Sequence, residues 1–177
     1  MNVTEIPAGP NPPGEINVLI EIPSGGGSGP VKYEIDKDYG VVAVDRILPT
    51  PMFYPCSYGF IPNTLHDDGD PTDVLVRTDV PLVPGALIRC RPIGVLTMKD
   101  EAGEDDKIVA VPLDKVDPFQ RHVREITDLP EPERERIRHF FERYKDLEKD
   151  KWVKVTGWHG REEAEAIIRR SVEAAKP

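Results

Sequence analysis

The chain has 177 residues, 31% of them charged and 38% hydrophobic, and its formal net charge is -9. That is enough chain for one domain with a real core, in the composition range of soluble globular proteins. The acidic balance argues against a protein that coats nucleic acid or anionic membrane, and no apolar run approaches the ~20 residues of a membrane span.

The opening, MNVTEIPAGPNPPGE, has neither a basic start nor an apolar core, so no secretory signal is expected. EINVLIEI (15–22) and VKYEI (31–35) read as strands joined by a flexible turn, PSGGGSGP. Side chains repeat every two residues on a strand, so Lys32 and Glu34 share a face, where a salt bridge is the plain account. GVVAVDRIL (40–48) is a third strand, with Arg46 near its end. In FYPCSYGF (53–60), Tyr54 and Tyr58 stand beside prolines and a glycine. Such aromatics either pack a corner or offer hydroxyls to an anion. DVLVRT (73–78), ALIRCRPIGVLTM (86–98) and KIVAVPL (107–113) continue the strand series. Short strands punctuated by Pro and Gly predict a closed, barrel-like sheet. Cys56 and Cys90 have no metal-type spacing and read as free thiols of a reducing cytosol.

The pattern changes after residue 128. Ile137, Phe140, Phe141, Tyr144 and Leu147 recur at helical spacing and predict a helix with one face on the barrel. Asp128 is its expected N-cap, with Pro130 in the first turn. KWVKVTGW (151–158) reads as a strand. Ala164, Ile167, Ile168, Ser171, Val172 and Ala175 then mark a second amphipathic helix. No internal repeat and no second domain are read.

Two acidic clusters carry the chemistry. HDDGDPTDVLV (66–76) holds Asp67, Asp68, Asp70 and Asp73, which repel one another unless a cation or several donors neutralise them. Gly69 permits a tight turn and Pro71 stiffens it, so carboxylates can be aimed at one point. Hard oxygen ligands suit magnesium, manganese or calcium; the alternative is a solvated acidic turn. An EF-hand fails, because from Asp68 the sixth residue is Asp73 and the twelfth is Asp79. The second cluster, KDEAGEDDK, brings Asp100, Glu101, Glu104, Asp105 and Asp106 between Lys99 and Lys107 on an expected hairpin tip. Alone it reads as a solvated tip. Paired with the first at strand ends of one barrel, it favours a shared metal site over two solvated tips.

Together VLIEIP, KYEIDKDYG, VDRILPTPMFYPCSYGFIPNT, DDGDPTDVLV, RCRPIGVL, DEAGEDDKIVAVP, HFFERYKDLEK and WVKVTGW resemble the soluble family I inorganic pyrophosphatases of the compact bacterial type. The resemblance covers roughly residues 16–158. It implies a mainly β, α+β fold: a small closed five-stranded OB-like barrel with two flanking helices, residues 1–177 forming one domain. It implies hydrolysis of pyrophosphate to two orthophosphates by in-line attack of a metal-activated water. By the same resemblance, Asp68, Asp73 and Asp105 are metal ligands, with Asp73 bridging two ions. Asp100 holds metal that arrives with substrate, and Glu21 and Glu34 support metals directly or through water. Asp70 takes the proton of the attacking water. Lys32, Arg46, Tyr58, Tyr144 and Lys145 grip the phosphates. Tyr54 orients groups in the site, and Glu101 and Lys107 lie around it or at its rim.

The implied cofactor is Mg2+, several per subunit, with Mn2+ or Zn2+ as substitutes and Ca2+ inhibitory. A cytoplasmic homohexamer is implied, with no nucleic-acid or membrane partner. Thr72 stands where the family usually has an aliphatic residue, the glycine-rich loop before Lys32 is slightly long, and Arg143 replaces a histidine common one turn after His139. From the residues alone, two other readings stand. One is a calcium- or magnesium-stabilised binding barrel without catalysis; the other is an oligonucleotide-binding barrel, a function small closed barrels also host.

Overall fold

The computed structural model describes residues 2–25 and 29–176. Part of the turn read over residues 23–30 therefore lies outside the described residues. The strands are β1 (Ile16–Ile22), β2 (Val31–Asp36), β3 (Val41–Ile47), β4 (Ser57–Phe60), β5 (Asp73–Val76), β6 (Leu87–Asp100), β7 (Gly103–Glu104), β8 (Lys107–Pro112) and β9 (Val153–Gly160). Two α-helices, α1 (Glu131–Arg143) and α2 (Arg161–Ala174), come late in the chain.

Five strands pair into a ring: β1 with β4, β4 with β5, β5 with β8, β8 with β6, and β6 back to β1. Only the β5–β8 junction of that ring is parallel. This is the closed, OB-like, mainly β architecture expected from the sequence. β2 and β3 form a separate two-stranded sheet.

Burial explains the composition of the ring. Every residue of β8, KIVAVP, is buried. A strand covered on both faces reads as a continuous apolar run and not as an alternation. Val74, Val76, Ile108 and Ala110 join Ala164, Ile167 and Ile168 of α2 in one core. Leu75, Val109 and Val111 point the other way, into a second core with Ile137, Phe140 and Phe141 of α1. Burying each such large side chain contributes roughly 1.5–3 kcal/mol. β6 is long enough to pair with β1, β8, β7 and β9 in turn, and register shifts at Pro92/Gly94 and Thr97/Met98 mark its bends. Cys56 and Cys90 are free and buried, and burial pushes the Cys56 thiol up to about 12, so it is unreactive.

The structure departs from the sequence reading at three places. Residues 57–60, which the sequence offers as aromatics of a corner or an anion site and not as a strand, form β4. Its glycine is required: a Cβ on Gly59 would lie 2.1 Å from the Leu19 carbonyl oxygen of β1. Asp128 does not cap α1. Its Oδ2 accepts the backbone N–H of Arg124 and Glu125, closing the short 3-10 turn Ile126–Asp128. Pro130 keeps Leu129 extended, so the helix starts only at Glu131. At the other end α1 stops at Arg143, and Leu147, expected on the buried face, is 66% exposed. No described helix is long and apolar enough to cross a membrane.

Candidate active site

A cavity of about 370 Å³ is walled on one side by the ring and on the other by the β2–β3 hairpin. It is in the size range of small-molecule sites. Seven carboxylates face it: Glu21, Glu34, Asp68, Asp70, Asp73, Asp100 and Asp105. So do six bases, Lys32, Lys37, Arg46, Lys107, Lys145 and Lys151, with Tyr58 and Tyr144.

The ring wall follows from strand register. β5 and β8 run parallel with Val74 opposite Ile108, so their first residues, Asp73 and Lys107, are neighbours. Lys107 Nζ lies 2.5 Å from Asp73 Oδ2, also pairs with Asp105, and is only 4% exposed in its side chain. Burial alone would depress this lysine, but Asp73 and Asp105 push it well above the usual range. Tyr58, on β4, has its hydroxyl 3.4 Å from the same ammonium. Burial, reinforced by Asp73 and Asp105, raises Tyr58 far above an ordinary phenol, so it stays an O–H donor.

Asp68 and Asp70 come from the turn between β4 and β5. The Asp70 N–H donates to Asp68 Oδ1 at 3.0 Å, and Gly69 has φ +91°, a conformation that favours glycine. Asp70 is exposed, and among the described residues its carboxylate has no hydrogen bond or ion pair. Burial raises the Asp68 carboxyl. Asp100 ends β6 and meets Lys145 Nζ at 2.7 Å. Burial would raise Asp100, but Lys145 and the Ala102 N–H hold it low.

The hairpin wall is built differently. Lys32 and Glu34 share one face of β2 and form the expected ion pair. A register shift after Lys32 skips Asp45, whose carboxylate lies 3.2 Å from Lys32 Nζ and 2.7 Å from an Arg46 Nη. Glu148 holds Arg46 from the far side at 2.8 Å. Glu21, at the end of β1, accepts the Ile35 N–H at 2.8 Å and so ties ring to hairpin. Burial pushes it up to about 7, and Asp73 and Glu34 add to this against the Ile35 hydrogen bond.

Two sequence-predicted residues do not line the cavity. Tyr54 is fully buried beneath it, its ring 5.3 Å from Tyr58 and 6.4 Å from Tyr144. Glu101 is exposed at the rim, 3.6 Å from Lys145. The reading missed Lys37, Asp45, Glu148 and Lys151. Glu148 and Lys151 were hidden because residues 144–151 looked like continuing helix and the start of a strand, whereas the structure makes them turns.

The donor set suits a hard divalent cation: carboxylate oxygens, with Tyr hydroxyls nearby. Among the described residues no three acid, Cys or His side chains are drawn together at ligand spacing. Lys107 lies between Asp73 and Asp105 and neutralises both. Burial raises the Asp68 and Glu21 carboxyls, so both acids sit partly dehydrated at the cavity.

The sequence pattern of the inorganic pyrophosphatase family matches residues 18–176. The chain is 56% identical to inorganic pyrophosphatase of Escherichia coli K12 over 176 residues, 99% of each chain. It is 57% identical to that of Xanthomonas axonopodis pv. citri over 173 residues, 98% of this chain and 96% of the relative. The crystal structure of inorganic pyrophosphatase from Thermus thermophilus superposes with a TM-score of 0.93 at 42% identity, covering 100% of both chains.

Proposed function

The chain belongs to the inorganic pyrophosphatase family and hydrolyses pyrophosphate, and we propose how its residues divide that work. The observation that carries the proposal is one cavity lined by carboxylates and bases from both the ring and the hairpin. Pyrophosphate brings about three to four negative charges near neutral pH. Six bases against seven carboxylates leave no positive surplus to receive it. Divalent cations would supply the missing positive charge, and the hard oxygen donors suit magnesium.

Asp68, Asp73 and Asp105 would hold these ions, Asp100 would join when substrate arrives, and Glu34 and Glu21 would support them directly or through water. When bound, such ions neutralise the phosphates and lower the pKa of water towards neutrality. Manganese or zinc would substitute, while calcium, larger and more flexibly coordinated, would bind and inhibit. Lys32, Arg46 and Lys145 fix the anion by charge, and Tyr58 and Tyr144 donate O–H bonds to it. Tyr54 holds the two tyrosines in place, Lys107 supports the acids of the ring wall, and Glu101 supports Lys145 at the rim. Asp70, free of partners and open to solvent, accepts the proton of the water that attacks in line. Residues 1–177 would act as one domain in a cytoplasmic homohexamer, with the exposed His139 and Arg143 face of α1 as a subunit contact.

The test is phosphate release from pyrophosphate with magnesium, with excess chelator, and with Asp70→Asn. Chelated enzyme should be inactive. Asp70→Asn should keep its magnesium titration while turnover falls about 10²–10⁴-fold, as for loss of a general base. Near-parental turnover would remove Asp70 as the base; lost magnesium binding would make it a ligand instead.

A further inference from the structure

His66 belongs to none of the roles above, yet it occupies a distinctive position. It opens the turn that carries Asp68 and Asp70. Its neighbours Leu65 and Asp67 are exposed, while its own side chain is only 8% exposed. The backbone holds it rigidly. Its N–H donates to the Asp70 carbonyl at 2.8 Å, and its carbonyl accepts the Gly69 N–H at 3.0 Å. Leu65, just before it, is tied to the Ser171 carbonyl of α2.

The two ring nitrogens face two carboxylates on different segments. Nδ1 lies 3.9 Å from Asp68 Oδ1, and Nε2 lies 3.9 Å from Asp106 Oδ2. At that length neither is a hydrogen bond, so the imidazole ring sits between the two acids as a packed spacer. Asp106 is itself fixed, its Oδ1 accepting the Met98 N–H of β6 at 3.3 Å. Asp106 is adjacent in sequence to Asp105. Among the described residues, no other hydrogen bond or ion pair links residues 66–70 to residues 105–106. The imidazole is thus the strut between the turn bearing Asp68 and the strand end bearing Asp105.

We infer that His66 is a positioning residue, setting the separation of these two carboxylate-bearing segments and thereby the affinity for the divalent cation. The inference rests on the reading that Asp68 and Asp105 hold that cation. Partners that orient ligands without touching the metal typically alter affinity 10–100-fold when removed. An imidazole suits the task because one rigid ring meets an acid on each side, whereas an aliphatic residue would leave the two acids facing each other.

The experiment is magnesium binding by calorimetry, without substrate, on parent, His66→Ala, His66→Asn, Asp106→Asn and the His66→Ala/Asp106→Asn double variant. Thermal midpoints are taken in chelator. His66→Ala and Asp106→Asn should each weaken magnesium about 10–100-fold. The double variant should be no weaker than the worse single, because the two act as one strut. His66→Asn, which keeps part of the imidazole's bulk on the Nδ1 side, should recover part of the affinity. The kcat of His66→Ala should return towards the parental value at saturating magnesium, and metal-free midpoints should not fall. Parental affinity in His66→Ala would overturn the assignment. So would single effects that multiply in the double variant, or an affinity loss matched by lost metal-free stability. Asp68→Asn separates the two levels: if it too keeps parental affinity, the metal reading itself has failed and not only the role of His66.

Discussion

The two walls of the cavity reach similar chemistry by opposite means. The ring wall places Asp73, Asp105, Lys107 and Tyr58 at the ends of strands buried on both faces, so its charges are partly dehydrated and locked in register. The hairpin wall places Lys32, Glu34 and Arg46 on a two-stranded sheet with exposed side chains such as Val44 and Ile47 on its flank. On the ring, a charge is part of the fold as well as of the site. On the hairpin, a charge is held mainly by other charges, Asp45 and Glu148, and can be removed without disturbing a core.

Substitution should expose that contrast, most strongly at Lys107. Lys107→Met leaves Asp73 and Asp105 near each other without a cation, and the metal-free protein should lose about 3–5 kcal/mol, as when one partner of a buried pair is removed. Magnesium should restore much of this. Equal losses in denaturant titrations with chelator and with magnesium would show that the metal does not replace the ammonium in neutralising these two acids.

Glu21, which joins the walls, should give the next largest effect. Its carboxyl is raised to about 7, so the fold prefers the protonated form. That contribution is full below the ordinary carboxylate range and is lost as pH rises through about 7. In chelator the parent should lose up to about 3 kcal/mol from this group between about pH 4.5 and 8, and Glu21→Gln should not. Parallel stability curves for the two proteins would refute the shift.

Thr72 tests the ring's packing. It is fully buried, and among the described residues its Oγ1 has no hydrogen-bond partner. Thr72→Val should therefore stabilise by about 1 kcal/mol, read as a higher denaturant midpoint with an unchanged slope. A lower midpoint would mean the hydroxyl is satisfied after all.

The smallest change in stability belongs to the hairpin. Lys32→Met should stay within about 0.5 kcal/mol of the parent, as surface changes do. Its kcat/KM should still fall about ten- to a hundredfold, the worth of a charged hydrogen bond to the anion. If it destabilises as much as Lys107→Met, the contrast between the walls is false.

What was legible in the sequence tracks how local each signal is. The apolar runs of β1, β5, β6 and β8 announce strands because periodicity is a property of neighbouring residues. β4 was not seen, since Ser57–Phe60 becomes a strand only through its two partners and a glycine required by the approach of β1. The start of α1 was misplaced at Asp128 because Asp and Pro both suit helix starts, and only the backbone shows which turn the carboxylate closes. The acids and bases facing the cavity could be named from their motifs. The pairing of Asp73 with Lys107 could not, because it follows from a parallel register between strands more than thirty residues apart. Asp45 and Glu148 depend on structure in the same way: a register shift brings one beside Lys32 and Arg46, and a helix that ends early brings the other to Arg46.

The closure of the ring has a further consequence, for how the chain avoids misassembly. Each of its five strands has a neighbour on both sides, so none offers an open edge to another molecule. Unpaired edges are where sheets of separate chains fuse. β2 and β3, by contrast, each pair with only one described strand, and β3 carries exposed Val41, Val42 and Val44. Charged residues interrupt that hazard: Lys32 and Glu34 on β2, Asp45 and Arg46 on β3. Lys32 and Arg46, assigned to grip substrate, would therefore also guard against intermolecular strand addition. Neutralising several of these charged residues at once would favour aggregation before it unfolded the barrel.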